Sequence, residues 1–457
     1  MNTERALTRE LTIGILIVEG FVSVSLQMIA LRQLVPFVGS NTIITSLVVT
    51  GFLAALATGY WRGGLLKDGH AARLQRNLGA VALLAGVGLS YVAAGFFFEY
   101  TLKVLPQLVA VAFYVLIILA PIVYLLAETV VILINYTRGE HASEQAGNAL
   151  NLSTWGNVVG GLLTTLVIMY YLGVGWAIAI DSALLLIAYL LIPSTRTEYK
   201  FVIALCVSAI VVFLNVAFEN STFMRTTPFA NYRTVDMADG ALVLDINDSS
   251  ASRTNANDQG HQYIEYFEDR AFKGRDALKP KSVLVLGAGG FTFGRGRDTT
   301  DTTIKFVDVD SALNEIGAEF LGIDSPDFDL TVSDARAFLL ASDVSYDLIV
   351  LDTFSHETSI PSHLLTLEYF QLVKSRLTEN GTVLVNIIMP KDEITRFRRG
   401  FDNTIRAAFS GCTTTQLSRP FVPVEAELYE CRSSDVDDYR MIYRDSDTRA
   451  SIDSSSF

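Results

Sequence analysis

The sequence predicts a helical transmembrane bundle fused, through a small β-hairpin lobe, to a doubly wound, Rossmann-like α/β domain. Three observations predict it. The long apolar stretches lie almost wholly before residue 220 of a 457-residue chain. Residues 283–293, VLVLGAGGFTF, run an apolar strand into a glycine-rich turn. The segment 346–352, YDLIVLD, is a second apolar strand that ends in an acid. A strand, a glycine turn and then an acid-tipped strand is the order of parts with which open α/β sheets bind nucleosides at their strand ends. The division that follows is 1–220 for the membrane domain, 221–272 for a linker and small β-rich lobe, and 273–457 for the α/β domain.

Seven stretches are long and apolar enough to cross a bilayer, at about 11–35, 43–66, 77–98, 106–136, 148–172, 174–193 and 200–218. The fourth contains Pro121 and Glu128 and reads as one kinked helix or as a broken one. The start, MNTERALTRE, precedes an apolar helix with no small-residue cleavage site, so it reads as a retained first span. Arg62, Lys67, Arg73 and Arg76 place the loop between the second and third spans in the cytoplasm. Seven crossings would then leave the α/β domain outside, whereas the supply of its nucleoside ligand places it in the cytoplasm. The expectation adopted is a multi-pass protein of the cell membrane with a cytoplasmic catalytic domain.

Polar residues interrupt the spans at Glu19, Gln27, Arg32, Glu128, Asn148, Asn151, Asn157 and Asp181. Ionisable groups at membrane depth are costly and face a partner or a cavity. Two readings stand side by side: internal pairing, for example of Glu19 or Asp181 with Arg32, and a cation site or passage. Gly156, Gly160 and Gly161 predict a close helix–helix approach.

Half of the residues are hydrophobic and the net charge is -13, most of it in the C-terminal half. That balance excludes nucleic acid as a partner, since phosphate backbones require a basic face. Cys206, Cys412 and Cys431 show neither metal spacing nor a disulfide framework and read as packing residues of a reducing compartment. The histidines His70, His141, His261, His356 and His363 have no metal-ligand spacing, so no metal is expected. The absence of a GxxxxGK[ST] motif disfavours phosphoryl transfer, and no serine sits in a GxSxG elbow.

Residues 234–246 alternate around Asp239-Gly240, which signals a β-hairpin, and 247–259 read as a polar loop. A helix is expected from His261 towards Phe272. Gly287, Gly289 and Gly290 let the backbone approach a ligand closely. A strand over 304–309 ends in Asp308, about 20 residues past the glycines, where an acid can accept hydrogen bonds from ribose hydroxyls. Asp310 fits the N-cap of the next helix. Asp334 ends a short strand at 330–332, where it can cap the helix 335–340, accept the amino group of an adenine, or do both. Asp352 tips the fourth strand, and a buried acid there is costly without a task or partner.

At this point residues 232–430 resemble the spermidine synthases, or polyamine aminopropyltransferases. The match rests most heavily on 346–370, YDLIVLDTFSHETSIPSHLLTLEYF, which is similar to the family's Y-D-x-I-x-x-D segment, its following loop and its L-x-x-x-E-x-[FY] helix. Residues 147–173 are similar to helices fused to such domains in membrane-bound homologues. The resemblance implies a methyltransferase-type Rossmann fold and transfer of the aminopropyl group of decarboxylated S-adenosylmethionine to an amine. It implies that Gly287 and Gly289 line that co-substrate, that Asp308 binds ribose, and that Asp334 and Ala335 hold adenine. Asp352 becomes the catalytic acid/base. Tyr263 and Glu265 lie over the amine site, with Ser355, His356 and Glu357 completing it. The soluble relatives' habit of pairing implies a homodimer.

The chain departs from that pattern twice. Gly290 stands where the family has an aspartate on the co-substrate's amino tail, and Ser355 replaces a second aspartate, with Glu357 nearby. Two other readings therefore remain: a methyltransferase using intact S-adenosylmethionine, and a non-catalytic polyamine sensor or transport-linked protein.

Overall fold

The computed structural model describes residues 7–39, 41–136, 142–193, 197–255, 257, 259–323, 328–353, 360–391, 395–409, 411–418, 424–432 and 442–446. The chain forms two compact units, Met1–Val38 with Thr42–Pro228, and Gly39–Asn41 with Phe229–Phe457.

The first unit is helical. Among the described residues six helices are long and apolar enough to cross a membrane: Arg9–Val38, Thr42–Gly64, Gln107–Asn135, Ser143–Tyr171, Val174–Leu191 and Tyr199–Thr222. The expected third span is bent. His70–Gly88 and Tyr91–Thr101 meet at 61° and make a seventh span only if taken as one. The break has a local cause. Ser90 Oγ caps the second piece by accepting from Ala93 N at 3.2 Å and donates to the carbonyl of Val87 at 2.7 Å. The expected fourth span is continuous over 107–135, with a π-helical turn at Val115–Leu119. A two-residue strand, β1 (Arg225–Thr226), lies near the end of this unit.

Glycines set its tightest approach. A Cβ on Gly156 would run into the Ile17 carbonyl oxygen at 2.5 Å, and one on Gly160 would collide with that of Phe21. Gly20 meets the Ser153 backbone in the same way, so the Arg9–Val38 helix lies backbone to backbone on the Gly156–Gly160 face. Gly161, grouped with them in the sequence, faces only Val24 Cγ1, at 3.0 Å.

Buried polar groups in this unit are mostly paired. Glu128 receives Arg73 Nε at 2.9 Å and Asn77 Nδ2 at 2.9 Å. Glu19 accepts from Ser153 Oγ at 2.9 Å, and Arg32 Nε donates to the Thr227 carbonyl at 2.7 Å. The expected pairing of Arg32 with Glu19 is not made. Both lie on one helix, roughly 20 Å apart at 1.5 Å per residue.

In the second unit, strands β2 (Asn231–Asp236), β3 (Leu242–Ile246) and β4 (Ser249–Thr254) pair antiparallel in that order. The Asp239-Gly240 hairpin forms as expected, with Gly240 at φ 78. The polar stretch 247–259, expected to be a loop, contains the strand β4 over Ser249–Thr254. Asn247 and Asp248 take φ 52 and 59, which turns the chain in two residues and lets β4 return along β3. The helix Gln262–Phe272 follows.

The main sheet contains β5 (Ser282–Leu286), β6 (Thr303–Asp308), β7 (Leu330–Val332), β8 (Tyr346–Leu351), β9 (Leu377–Pro390), β10 (Gly411–Ser418) and β11 (Val424–Arg432). Its order is β10-β11-β9-β8-β5-β6-β7. The five strands β5 to β9 run parallel, while β11 and β10 are antiparallel additions, so the sheet is mixed. Leu284, Leu286, Ile349, Leu351, Val383 and Val385 are buried in its core, each contributing about 1.5–3 kcal/mol. Phe370 and Phe401, from the helices Leu367–Ser375 and Arg396–Ala408, cover one face with ring centroids 5.7 Å apart.

One expectation about the cysteines is overturned. Cys412 and Cys431 stand directly opposite each other on β10 and β11 and form a disulfide, 19 residues apart in sequence. Cys206 is free and exposed.

The glycine contacts make a prediction. Gly160→Ala should destabilise the helical unit by about 1–3 kcal/mol through backbone overlap. Gly147→Ala, on the same helix with nothing within 4 Å of its Cβ position, should be neutral or slightly stabilising. Thermal unfolding of the full chain in detergent compares the two.

Candidate active site

The strand order creates the site. From β5 the chain moves outward to β6 and β7, then returns to lay β8 on the other side of β5. This reversal is the switch point at which open α/β sheets bind ligands beyond the carboxyl ends of their strands. Asp352, Gly287, Asp308 and Asp334 each follow or end β8, β5, β6 and β7, and so stand in a row in that order.

Gly287 is required by two constraints. Its φ is +96, and a Cβ there would collide with the carbonyl oxygen of Asp352. Gly289, at φ +50, continues the turn, and Gly290 N donates to Ser252 Oγ on β4 at 2.8 Å. Residues 287–302 form turns rather than a helix. The glycine turn therefore does not aim a helix N-terminus at a phosphate, the device that dinucleotide sites use.

Asp308 is fixed by backbone donors. Its Oδ2 accepts from Ala288 N at 3.0 Å and its Oδ1 from Asp310 N at 3.1 Å. Burial raises its pKa, opposed by those donors. Asp310 accepts from Ala312 N at 3.0 Å, just before the helix Leu313–Leu321, and from Tyr232 OH at 2.8 Å. It thus ties β2 to the sheet end.

Asp334 caps the helix Ala335–Ala341 by accepting from Ala337 N at 3.0 Å, and its other oxygen meets His363 Nε2 at 2.9 Å. Burial works against its charge, but the Ala337 amide and His363 outweigh it and hold the carboxyl below the ordinary aspartate value. The Asp308 carbonyl accepts from Ser333 N at 2.8 Å, which locks these two strand ends together. Ala335 is buried beside them.

Asp352 is held from two sides. Tyr263 OH donates to Oδ2 at 2.7 Å and Asn386 Nδ2 donates to Oδ1 at 2.9 Å. Burial pushes its pKa up, while the Asn386 and Tyr263 donors pull it back. Tyr263 reaches Asp352 from the helix Gln262–Phe272, and its ring stacks on that of His261 at 6.0 Å. Glu265 is two residues further on, and positions i and i+2 do not share a helix face. On the same helix Glu268 accepts from Gly294 N at 2.8 Å and from Arg297 Nε at 3.0 Å. Ser355, His356 and Glu357 lie outside the described residues.

Two contributors were absent from the sequence candidates. Asn386 had a visible signal, an amide inside the apolar run VLVNII of β9. Ser252 had none, because its role depends on the strand that was read as a loop. A cleft beside Asp352 is lined by Thr353, Ile360, Leu364, Phe370, Val385 and Asn386.

No protein-family model matches the chain. It is 29% identical over 142 residues to a probable polyamine aminopropyl transferase of Bifidobacterium longum, covering 30% of this chain and 31% of that protein. It is 27% identical over 189 residues to polyamine aminopropyltransferase 2 of Pseudomonas aeruginosa, covering 39% of this chain and 50% of that one. A probable spermidine synthase from Corynebacterium glutamicum aligns over 45% of this chain and 78% of its own, with a TM-score of 0.38 at 15% identity. The matches span between about a third and half of the curated relatives' length. By sequence, part of the chain is similar to polyamine aminopropyltransferases.

The raised pKa of Asp352 carries a sign. Its protonated form favours the fold, so that contribution is complete below the ordinary aspartate range and is lost as pH rises through the raised folded value. Asn386→Leu removes a donor to the ionised form. The variant should lose about 1–3 kcal/mol of stability at pH 8, and the deficit should shrink towards pH 5. Thermal unfolding across pH checks this.

Proposed function

We propose that this chain is a membrane-anchored aminopropyltransferase, moving the aminopropyl group of decarboxylated S-adenosylmethionine to a polyamine or related amine. The observation that carries the reading is Asp352, a partly buried acid at the switch point, steadied by Tyr263 and Asn386. The similarity to polyamine aminopropyltransferases supports it independently. The six apolar helices support anchoring in the cell membrane.

In this reading Gly287 and Gly289 line the co-substrate, Asp308 takes its ribose, and Asp334 with Ala335 takes its adenine. Asp308 Oδ2 already accepts the Ala288 amide, so ribose would share a carboxylate whose position is preset. Protonated amines cannot attack carbon, and most of a polyamine is ammonium near pH 7 because amine pKa values lie near 10. Asp352 attracts the ammonium and accepts its proton. The freed nitrogen lone pair attacks the carbon next to sulfur, and the carbon–sulfur bond breaks. Its electron pair stays on sulfur, which leaves as a neutral thioether, methylthioadenosine. Because a sulfonium is a good leaving group, holding donor and amine in line supplies much of the acceleration.

The raised pKa of Asp352 suits this task, since a stronger base removes an ammonium proton more readily. Asn386 Oδ1 is buried and has no partner among the described residues, so it offers the incoming amine a second acceptor. Tyr263 lies over the amine site through its bond to Asp352. Glu265 would act on the amine electrostatically rather than by contact with Asp352.

Product analysis by mass spectrometry tests the reading. Detergent-purified full chain is incubated with diamines and polyamines and with either decarboxylated or intact S-adenosylmethionine. The expected result is an acceptor heavier by one aminopropyl unit together with methylthioadenosine. A methylated acceptor from the intact donor, or nucleoside binding without any product, overturns the reading. Asp352→Asn should lower kcat about 10²–10⁴-fold while nucleoside binding persists. Tyr263→Phe should move the acid limb of the kcat/KM profile to higher pH, because it removes a donor that stabilises the carboxylate.

A further inference from the structure

The helical unit contains a buried acid that the transferase chemistry leaves unused. Asp181 lies in the helix Val174–Leu191, 1% exposed, and neither carboxylate oxygen has a hydrogen-bond partner among the described residues. Among the described residues the other buried acids of this unit are engaged: Glu128 is met by Arg73 and Asn77, and Glu19 by Ser153. The partly buried Glu219 is met by Thr226 and the Gly175 amide.

Asp181 has oxygen-bearing neighbours. Ser25, from the helix Arg9–Val38, lies beside it without closing a hydrogen bond in geometry. Thr164 Oγ1 donates to Ser25 Oγ at 2.8 Å. Ser25 and Thr164 are both fully buried. A carboxylate and two hydroxyls, carried by three helices, thus gather inside the unit. Thr164 also opens the π-helical turn Thr164–Ile168. Such widened turns occur in α-helices mostly at functional sites, and departures from the α pattern expose carbonyls that can coordinate cations.

A buried carboxylate without a counter-charge costs several kcal/mol, and intramembrane acids lie by default at functional sites. Neutralisation by a proton calls for one hydrogen-bond acceptor. A hard metal cation is held by oxygens, and Asp181 with the hydrogen-bonded Ser25 and Thr164 hydroxyls supplies three oxygen-bearing side chains. We propose that Asp181, Ser25 and Thr164 form a binding site for a small monovalent cation, Na⁺, inside the helical unit. The proposal is independent of the transferase reading.

Equilibrium binding of ²²Na⁺ to the detergent-purified full chain tests it, with choline chloride holding ionic strength constant. Saturable binding of about one ion per chain, displaced by Li⁺ and not by choline, is expected. Asp181→Asn should weaken it at least tenfold, and Ser25→Ala or Thr164→Val severalfold. Should Asp181→Asn fail to fold, the near-isosteric Thr164→Val carries the comparison. Absence of saturable binding by the wild type overturns the proposal. So does unchanged affinity in the folded variants, or a site that exchanges protons with pH without competition from Na⁺.

Discussion

Holding the Asp352 carboxyl group, partly buried at a strand end, is the constraint around which the second unit is arranged. Burial opposes the ionisation of Asp352. Its two oxygens therefore draw donors from separate elements, Tyr263 on a helix after the small lobe and Asn386 on β9. The same packing forbids a side chain at Gly287, whose Cα lies against the Asp352 carbonyl. The small lobe is bound in as well, through Ser252 on the Gly290 amide and Tyr232 on Asp310. A loosened lobe would shift both the glycine turn and the tyrosine that holds Asp352.

Local signals in the chain were legible where local chemistry decides the outcome. The apolar strand before Gly287, the Asp239-Gly240 hairpin and the Asp334 cap all follow from short-range rules. Features set by register or by distant partners were not. The turn at Asn247-Asp248 is plain once two positive φ values are seen, but β4, SSASRT, lacks the apolar alternation that marks a strand. The Cys412–Cys431 bond exists because β10 and β11 place the two residues opposite each other, which spacing alone does not reveal. Asn386 could have been found by asking why an amide sits in a buried apolar strand. Glu265 was drawn in by resemblance, and helical spacing turns it away from Tyr263.

In the helical unit the same division holds. Gly156 and Gly160 announced a close approach, and the contact they make is backbone on backbone. Arg73, counted in the sequence as a loop charge that orients the bundle, is in part the counter-ion of Glu128. A positive charge near a helix end therefore serves as topological marker and structural partner together. The break at Ser90 shows how one hydroxyl, capping in one direction and bonding back in the other, turns a span that hydropathy reads as continuous.

The contact between the first helix and the Gly156–Gly160 face also orders events during synthesis. The helix Arg9–Val38 carries Glu19, Ser25 and Arg32, and Ser153, which donates to Glu19, emerges from the ribosome 134 residues later. Until then the Glu19 carboxyl on the nascent helix lacks the serine that donates to it in the folded chain. A variant that weakens the later helix would consequently act first on biogenesis, reducing the amount of chain that accumulates before any change in the finished protein could be measured.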